Sequence, residues 1–243
     1  MKKILLLTLT IICLTAAETR HALSILRIDE PDITIGATVW YAWMDRYRDG
    51  FQVEKLGSTL LYGPAASMKV SDDFNLTFIF LYGVYDSLDR RDGNIALNYM
   101  LSDYFKVFTG VKYMGFTSAI EKHNALGPGM GLSATLPVIG DIFFLATLSG
   151  SYLWGSEKYD DPIIIYLWGS DKHDNSFIKE KESFNEYGVN GTLAFAYYIA
   201  DFHTVISLGG RYQYFFTDYK SDSIDYRIVC YGVTLTVTYT FGL

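Results

Sequence analysis

This chain is short of most things that announce a soluble enzyme. Among 243 residues there are two cysteines, five prolines and four histidines. Cys13 lies in a segment that reads as removable, which leaves Cys230 alone and rules out a disulfide framework. His21, His123, His173 and His203 are far apart and show no metal-ligand spacing, so neither a metal nor another cofactor is expected. No run of about 18 apolar residues occurs beyond the N-terminus, which excludes membrane-spanning helices. Lysine and arginine number 20 against 27 acidic residues, and nowhere do they gather into a phosphate-binding stripe. Nucleic acid is thereby excluded as a partner.

What is present is an aromatic content of 16% and a period of two. From the C-terminus backwards, Leu243, Phe241, Tyr239, Val237, Leu235, Val233 and Tyr231 alternate with Gly242, Thr240, Thr238, Thr236, Thr234, Gly232 and Cys230. Such alternation is a β-strand with two unlike faces, long enough to cross a bilayer at a tilt. A soluble sheet would place Lys and Glu on its wet face. Thr and Gly suit the interior of a closed barrel, whose mean hydropathy stays near neutral.

The rest of the chain divides accordingly. Lys2 and Lys3, an apolar run to Leu14 and Thr15-Ala16-Ala17 make residues 1–17 a signal peptide, whose removal takes two positive charges from a net −7. Residues 18–32 form a periplasmic lead, and 33–243 the barrel. Alternating runs begin with Ile33, Ile35, Ala37, Val39, Tyr41 and Trp43, and continue to a total of about ten strands. Pro64 interrupts the second run and predicts a bulge there. Short connections at 71–73, 102–103, 137–141 and 200–202 carry turn chemistry. Longer polar ones at 45–55, 86–93, 117–124, 155–183 and 217–225 alternate with them, as periplasmic turns and outer loops do. The expected fold is therefore all-β: an antiparallel transmembrane β-barrel in the outer membrane of a bacterium, in contact with its lipids. Tyr82, Tyr85, Tyr104, Tyr113, Tyr152, Trp154, Tyr198 and Phe241 fall near strand ends, where interfacial girdles belong.

Three sets of residues carry functional expectations. Lys106, Lys112 and Arg211 fall in register with small or polar residues and line the lumen, with Glu186 and Asp218 as candidate partners. Asp160, Asp161, Asp171 and Asp174 form an acidic cluster in the longest outer loop. That loop holds a duplication, YLWGSEKYDDPIII followed by YLWGSDKHDNSFIK, read as a tolerated insertion. Tyr239, Phe241 and Leu243 form a C-terminal assembly signal. Gly127-Pro128-Gly129-Met130-Gly131 lacks the Lys-Ser/Thr and the helix of a phosphate loop, and reads as glycine-lined barrel interior.

The segments LNYMLSDYFKVFTGVKYMGF, GPGMGLSATLP and VTLTVTYTFGL resemble small bacterial outer-membrane β-barrel proteins of porin-like or surface type. The resemblance implies insertion by the barrel-assembly machinery through the C-terminal aromatic signal, although this chain ends in Phe-Gly-Leu. Two functions stay open. One is a narrow passage for small solutes, which Trp40, Phe108 and Tyr198 would obstruct from the inward face. The other is a surface binding, adhesion or structural protein acting through its outer loops. A rim protease built on His173 and its neighbouring aspartates, as in the ten-stranded omptin family, has no local motif here. The chain is not expected to be an enzyme.

Overall fold

The computed structural model describes residues 33–48, 51–86, 88–119, 121–159, 181–219 and 225–241. Ten strands fill them: β1 (Ile33–Arg48), β2 (Phe51–Lys69), β3 (Phe74–Tyr85), β4 (Leu88–Met100), β5 (Phe105–Thr117), β6 (Glu121–Ile139), β7 (Ile142–Tyr159), β8 (Lys181–Ile199), β9 (Thr204–Tyr219) and β10 (Asp225–Phe241). Each pairs antiparallel with its sequence neighbours, and β1 closes on β10 from Ile33↔Phe241 to Arg48↔Tyr226. Closure leaves no strand edge unpaired, which a lipid environment demands of any spanning sheet.

The two faces of β10 are those its sequence describes. Tyr231, Val233, Leu235, Val237, Tyr239 and Phe241 are exposed on the outer wall. Inside, the Thr236 hydroxyl lies 3.0 Å from that of Thr38, and the Thr240 hydroxyl 3.0 Å from that of Thr34. Small inward residues let neighbouring strands approach closely. A Cβ on Gly232 would lie 2.0 Å from the Tyr41 carbonyl oxygen, and one on Gly209 would lie 2.1 Å from that of Leu193.

Two rings of outward aromatics bracket the apolar wall. Near the termini, Tyr239 meets Phe241 (4.5 Å between centroids), Phe74 meets Tyr99 (5.1 Å) and Phe144 meets Phe195 (5.5 Å). Towards the other end, Trp43 stacks on Tyr231 (5.8 Å), and Tyr152 meets both Trp154 and Tyr187. From Phe241 to Tyr231 is about ten residues; at about 3.4 Å each and a tilt of about 40° they span roughly 26 Å, matching the apolar band of such barrels. Tyr85 corrects the expected girdle, because it points inward and is buried; Tyr198 also leaves the girdle, lying buried on the inward face where its register puts it.

Leu235 sits within this band, so Leu235→Arg is expected to lower the unfolding free energy by about 2–4 kcal/mol. Ser207→Arg faces the lumen and should cost far less. Denaturant unfolding of the refolded variants checks this, and equal costs would contradict the assigned facing.

Strand boundaries differ from the sequence reading in one consistent way. Residues 88–93, 121–124, 155–159 and 181–183, expected in connections, are strand. The wall therefore continues past the apolar band as a paired, polar rim. Pro64 also departs from expectation, since β1–β2 pairing runs through Ala37↔Pro64 without a shift. Pairing to β3 skips Gly63 and Pro64 but keeps its register, so the missing N–H is absorbed on that side alone. Pro128 is handled in the same way between β5 and β7. The β1–β2 register shifts instead at two places nearer the rim, between Trp43 and Asp45, beside Gly57 with its φ of +73°, and between Arg46 and Tyr47.

Candidate functional site

The lumen has two unlike halves. Towards the termini, the inward side chains Thr34, Thr77, Thr147, Ser149, Ser207, Thr236 and Thr238 are small and partly exposed, and they line a water-accessible vestibule. Towards the rim the inward residues become large and buried: Trp40, Met44, Leu61, Leu81, Arg90, Met114, Phe116, Leu153, Phe184 and Phe215.

The floor of the packed half is a charged layer centred on Asp92 of β4. Its Oδ1 accepts a hydrogen bond from Lys112 Nζ at 3.0 Å, and its Oδ2 accepts one from Gln213 Nε2 at 2.8 Å. Arg90 and Arg211 bring guanidinium nitrogens to 3.4 and 3.6 Å from the same oxygen. Arg90 is fully buried and also donates to the Gln213 side-chain oxygen and to Cys230 Sγ. Trp40 presents its ring to both guanidiniums, 5.3 Å from Arg90 and 4.6 Å from Arg211. Three cations thus share one carboxylate, and two of them also rest on an indole ring. Residues from β1, β4, β5, β9 and β10 meet across the tube in this layer. Buried charges are tolerated when paired and hydrogen-bonded, as these are apart from Arg90 Nε, which has no partner among the described residues.

Lys112 and Arg211 belong to this layer. Lys106, on the same face of β5, lies below it in the vestibule and makes no ion pair among the described residues. The sequence reading is corrected on the partners. Glu186 lies elsewhere and Asp218 is exposed, whereas Asp92, which binds both cations, falls in 86–93, a stretch that reads as a connection in the sequence. Arg90 and Asp92 were missed for that reason. The available signal was the alternation of β4 itself, since counting back by two from Asn98 and Ala96 reaches Asp92 and Arg90.

Above this layer, within the rim, sits a second cluster. Glu121 and His123 share the inward face of β6, His123 pairs across the ladder with Glu157 of β7, and Glu186 comes from β8. Arg46 forks both oxygens of Glu121, with NH1 to Oε2 at 3.0 Å and NH2 to Oε1 at 2.5 Å. The Tyr219 hydroxyl donates to Glu157, and Thr217 donates to Glu186 at 3.2 Å. The His123 ring stacks on Phe184 at 4.3 Å. Glu121 and Glu157 lie beyond the apolar band, past the outward Leu126 and Trp154. Burial, together with the adjacent Glu121 carboxylate, pushes Glu157 up to about 7. Arg46 holds Glu121 well below the usual carboxylate range despite its burial.

Asp160, Asp161, Asp171 and Asp174 lie outside the described residues, as do the duplicated segment from 160 on, His173 and Leu243. Tyr239 and Phe241 stand on the outer wall beside each other.

No protein-family model matches the chain, and no curated protein matches it in sequence. Solved structures do match. The outer membrane protease OmpT from Escherichia coli aligns with a TM-score of 0.51 at 10% identity, over 88% of this chain and 97% of that one. Ail, the attachment invasion locus protein of Yersinia pestis, gives 0.38 at 11% identity over 87% and 99%. Neisserial surface protein A gives 0.35 at 11% identity over 84% and 96%. At such identities the likeness is one of fold and carries no activity across. Ten antiparallel strands closed on themselves and an apolar outer wall between outward aromatics give this chain the architecture of an outer-membrane β-barrel.

Proposed function

We propose that this protein is a closed outer-membrane barrel that works at the cell surface through its rim and outer connections, and not as a conduit. The observation that carries the reading is the layer around Asp92, in which Trp40, Arg90 and Gln213 are fully buried and span the tube. A hydrated path needs inward charges that face water, as Lys106 does in the vestibule; Arg90 is instead sealed between Trp40, Phe116, Gln213 and Cys230. The rim cluster offers no substrate access either, because His123, Glu157 and Glu186 are buried. An enzyme acting on a peptide would need them open.

The polar rim and the connection at 160–180, with its four aspartates, supply the surface that remains. The termini and the turn at 101–104 face the periplasm in this reading, delivered there by the signal peptide, and Tyr239 and Phe241 serve the assembly machinery. An epitope tag inserted at Asp174 is expected to be labelled on intact cells, and one at Asp103 only after permeabilisation. Labelling at Asp103 alone would invert the orientation and overturn the reading.

A further inference from the structure

The rim cluster holds more negative charge than its surroundings answer. Glu121, Glu157 and Glu186 bring three carboxylates, all with side chains at most 12% exposed. Among the described residues, the ion pairs made to them come from Arg46 and from the His123 imidazole. One donor atom each from Glu121, His123 and Glu157 lie within 4.8 Å of one another.

The cluster is also unsatisfied. His123 Nε2 is 3.3 Å from Glu186 Oε2, yet Nε2 and Glu186 Oε1 are both buried without a hydrogen-bond partner. The other ring nitrogen, Nδ1, faces Glu157 Oε1 at 4.0 Å, too far for a hydrogen bond. Buried polar groups left this way in a folded protein ask for a missing partner.

From this geometry we infer a divalent-cation site of the zinc class at the outer end of the lumen, with Glu121, His123 Nδ1 and Glu157 Oε1 as its protein ligands. Bonds of about 2.0–2.2 Å place ligand atoms roughly 3–4 Å apart, so the present donors need to close by about an ångström, within the reach of two glutamates. Glu157 Oε1 is open for this, because the Tyr219 hydroxyl bonds to Oε2. Each Glu121 oxygen retains a lone pair beyond its bond to Arg46. A metal on Nδ1 forces the ring proton onto Nε2, where Glu186 is placed to accept it. The unpartnered Nε2 is thereby answered by Glu186 Oε2, in the carboxylate–histidine–metal arrangement that orients ligating imidazoles.

A nitrogen donor with few oxygens favours a zinc-like ion over calcium, which takes six to eight oxygens, and over magnesium, which keeps most of its water. The ion would tie β6 to β7 directly, and β8 through Glu186, at the base of the 160–180 connection. By bridging the crowded carboxylates it would fix the rim on which the proposed surface function stands.

The test uses the full-length refolded protein in detergent, stripped with a chelator and titrated with zinc chloride by calorimetry. One equivalent is expected to bind and to raise the thermal unfolding midpoint, with a 100-fold excess of magnesium or calcium failing to compete. His123→Gln and Glu157→Gln, checked for folding by heat-modifiable gel migration, should each weaken binding at least tenfold, and Glu186→Gln about tenfold. Wild-type protein loaded with Co²⁺ should develop the visible absorption of a nitrogen- and oxygen-ligated ion, a readout that needs no variant. Absence of stoichiometric zinc uptake by the wild type, or wild-type affinity in folded His123→Gln, would overturn the assignment. The surface reading would survive either result, because it rests on the closed lumen below.

Discussion

Asp92→Asn is expected to be among the most damaging single substitutions in the barrel, lowering the unfolding free energy by about 3–5 kcal/mol. The reason is asymmetry. Asp92 is the one carboxylate in contact with Arg90, Lys112 and Arg211 in the described lumen, so neutralising it leaves three cations facing one another in a dry layer. Removing one cation is milder. Lys112→Met leaves Asp92 bonded to Gln213 at 2.8 Å and flanked by two guanidiniums, and should cost less than half as much. Urea unfolding of both variants refolded into lipid vesicles, followed by tryptophan fluorescence, gives the comparison. Equal stability of Asp92→Asn and wild type would mean that the layer is hydrated and the charges are screened.

Trp40→Ala should cost a similar amount, about 3–5 kcal/mol, for a different reason. The indole is fully buried and fills the centre of the tube beneath two guanidiniums. Its loss leaves a cavity that the paired wall cannot collapse into, because every strand is held on both sides. It also strips the cation–π contacts from Arg90 and Arg211, worth roughly 1–2 kcal/mol more when desolvated. The cavity would join the vestibule to the packed half, and the same variant should therefore lose the seal as well as stability.

The barrel itself was legible in the sequence because its two solvents differ sharply. In β10 one face reads Tyr, Val, Leu, Val, Tyr, Phe and the other Cys, Gly, Thr, Thr, Thr, Thr, and no soluble sheet needs that contrast. Alternation also placed Lys106, Lys112, Arg211 and Trp40 on the inward face. The interior chemistry was harder to read, because its partners are distant along the chain. Arg90 and Gln213 are separated by 123 positions, and Asp92 and Gln213 by 121. Charged residues near a turn signal, such as Asp89, Arg90 and Asp92, look like a solvated loop until the opposite wall supplies their contacts. The same holds for His123, which has no histidine near it in sequence. Its neighbours Glu157 and Glu186 arrive from the next two strands, and the register that aligns them depends on pairings no single strand records. Pro64 misled for a local reason. A proline at an interior strand position suggests a bulge, but here the register to β3 simply passes over it.

The most direct measurement of the central claim, that the Asp92 layer closes the lumen, is a planar-bilayer recording of refolded wild-type protein beside Trp40→Ala. The wild type is expected to insert without conductance steps, and Trp40→Ala to show small, stepwise ones. Steady single-channel conductance in the wild type would contradict the closed barrel and return the protein to the class of solute passages.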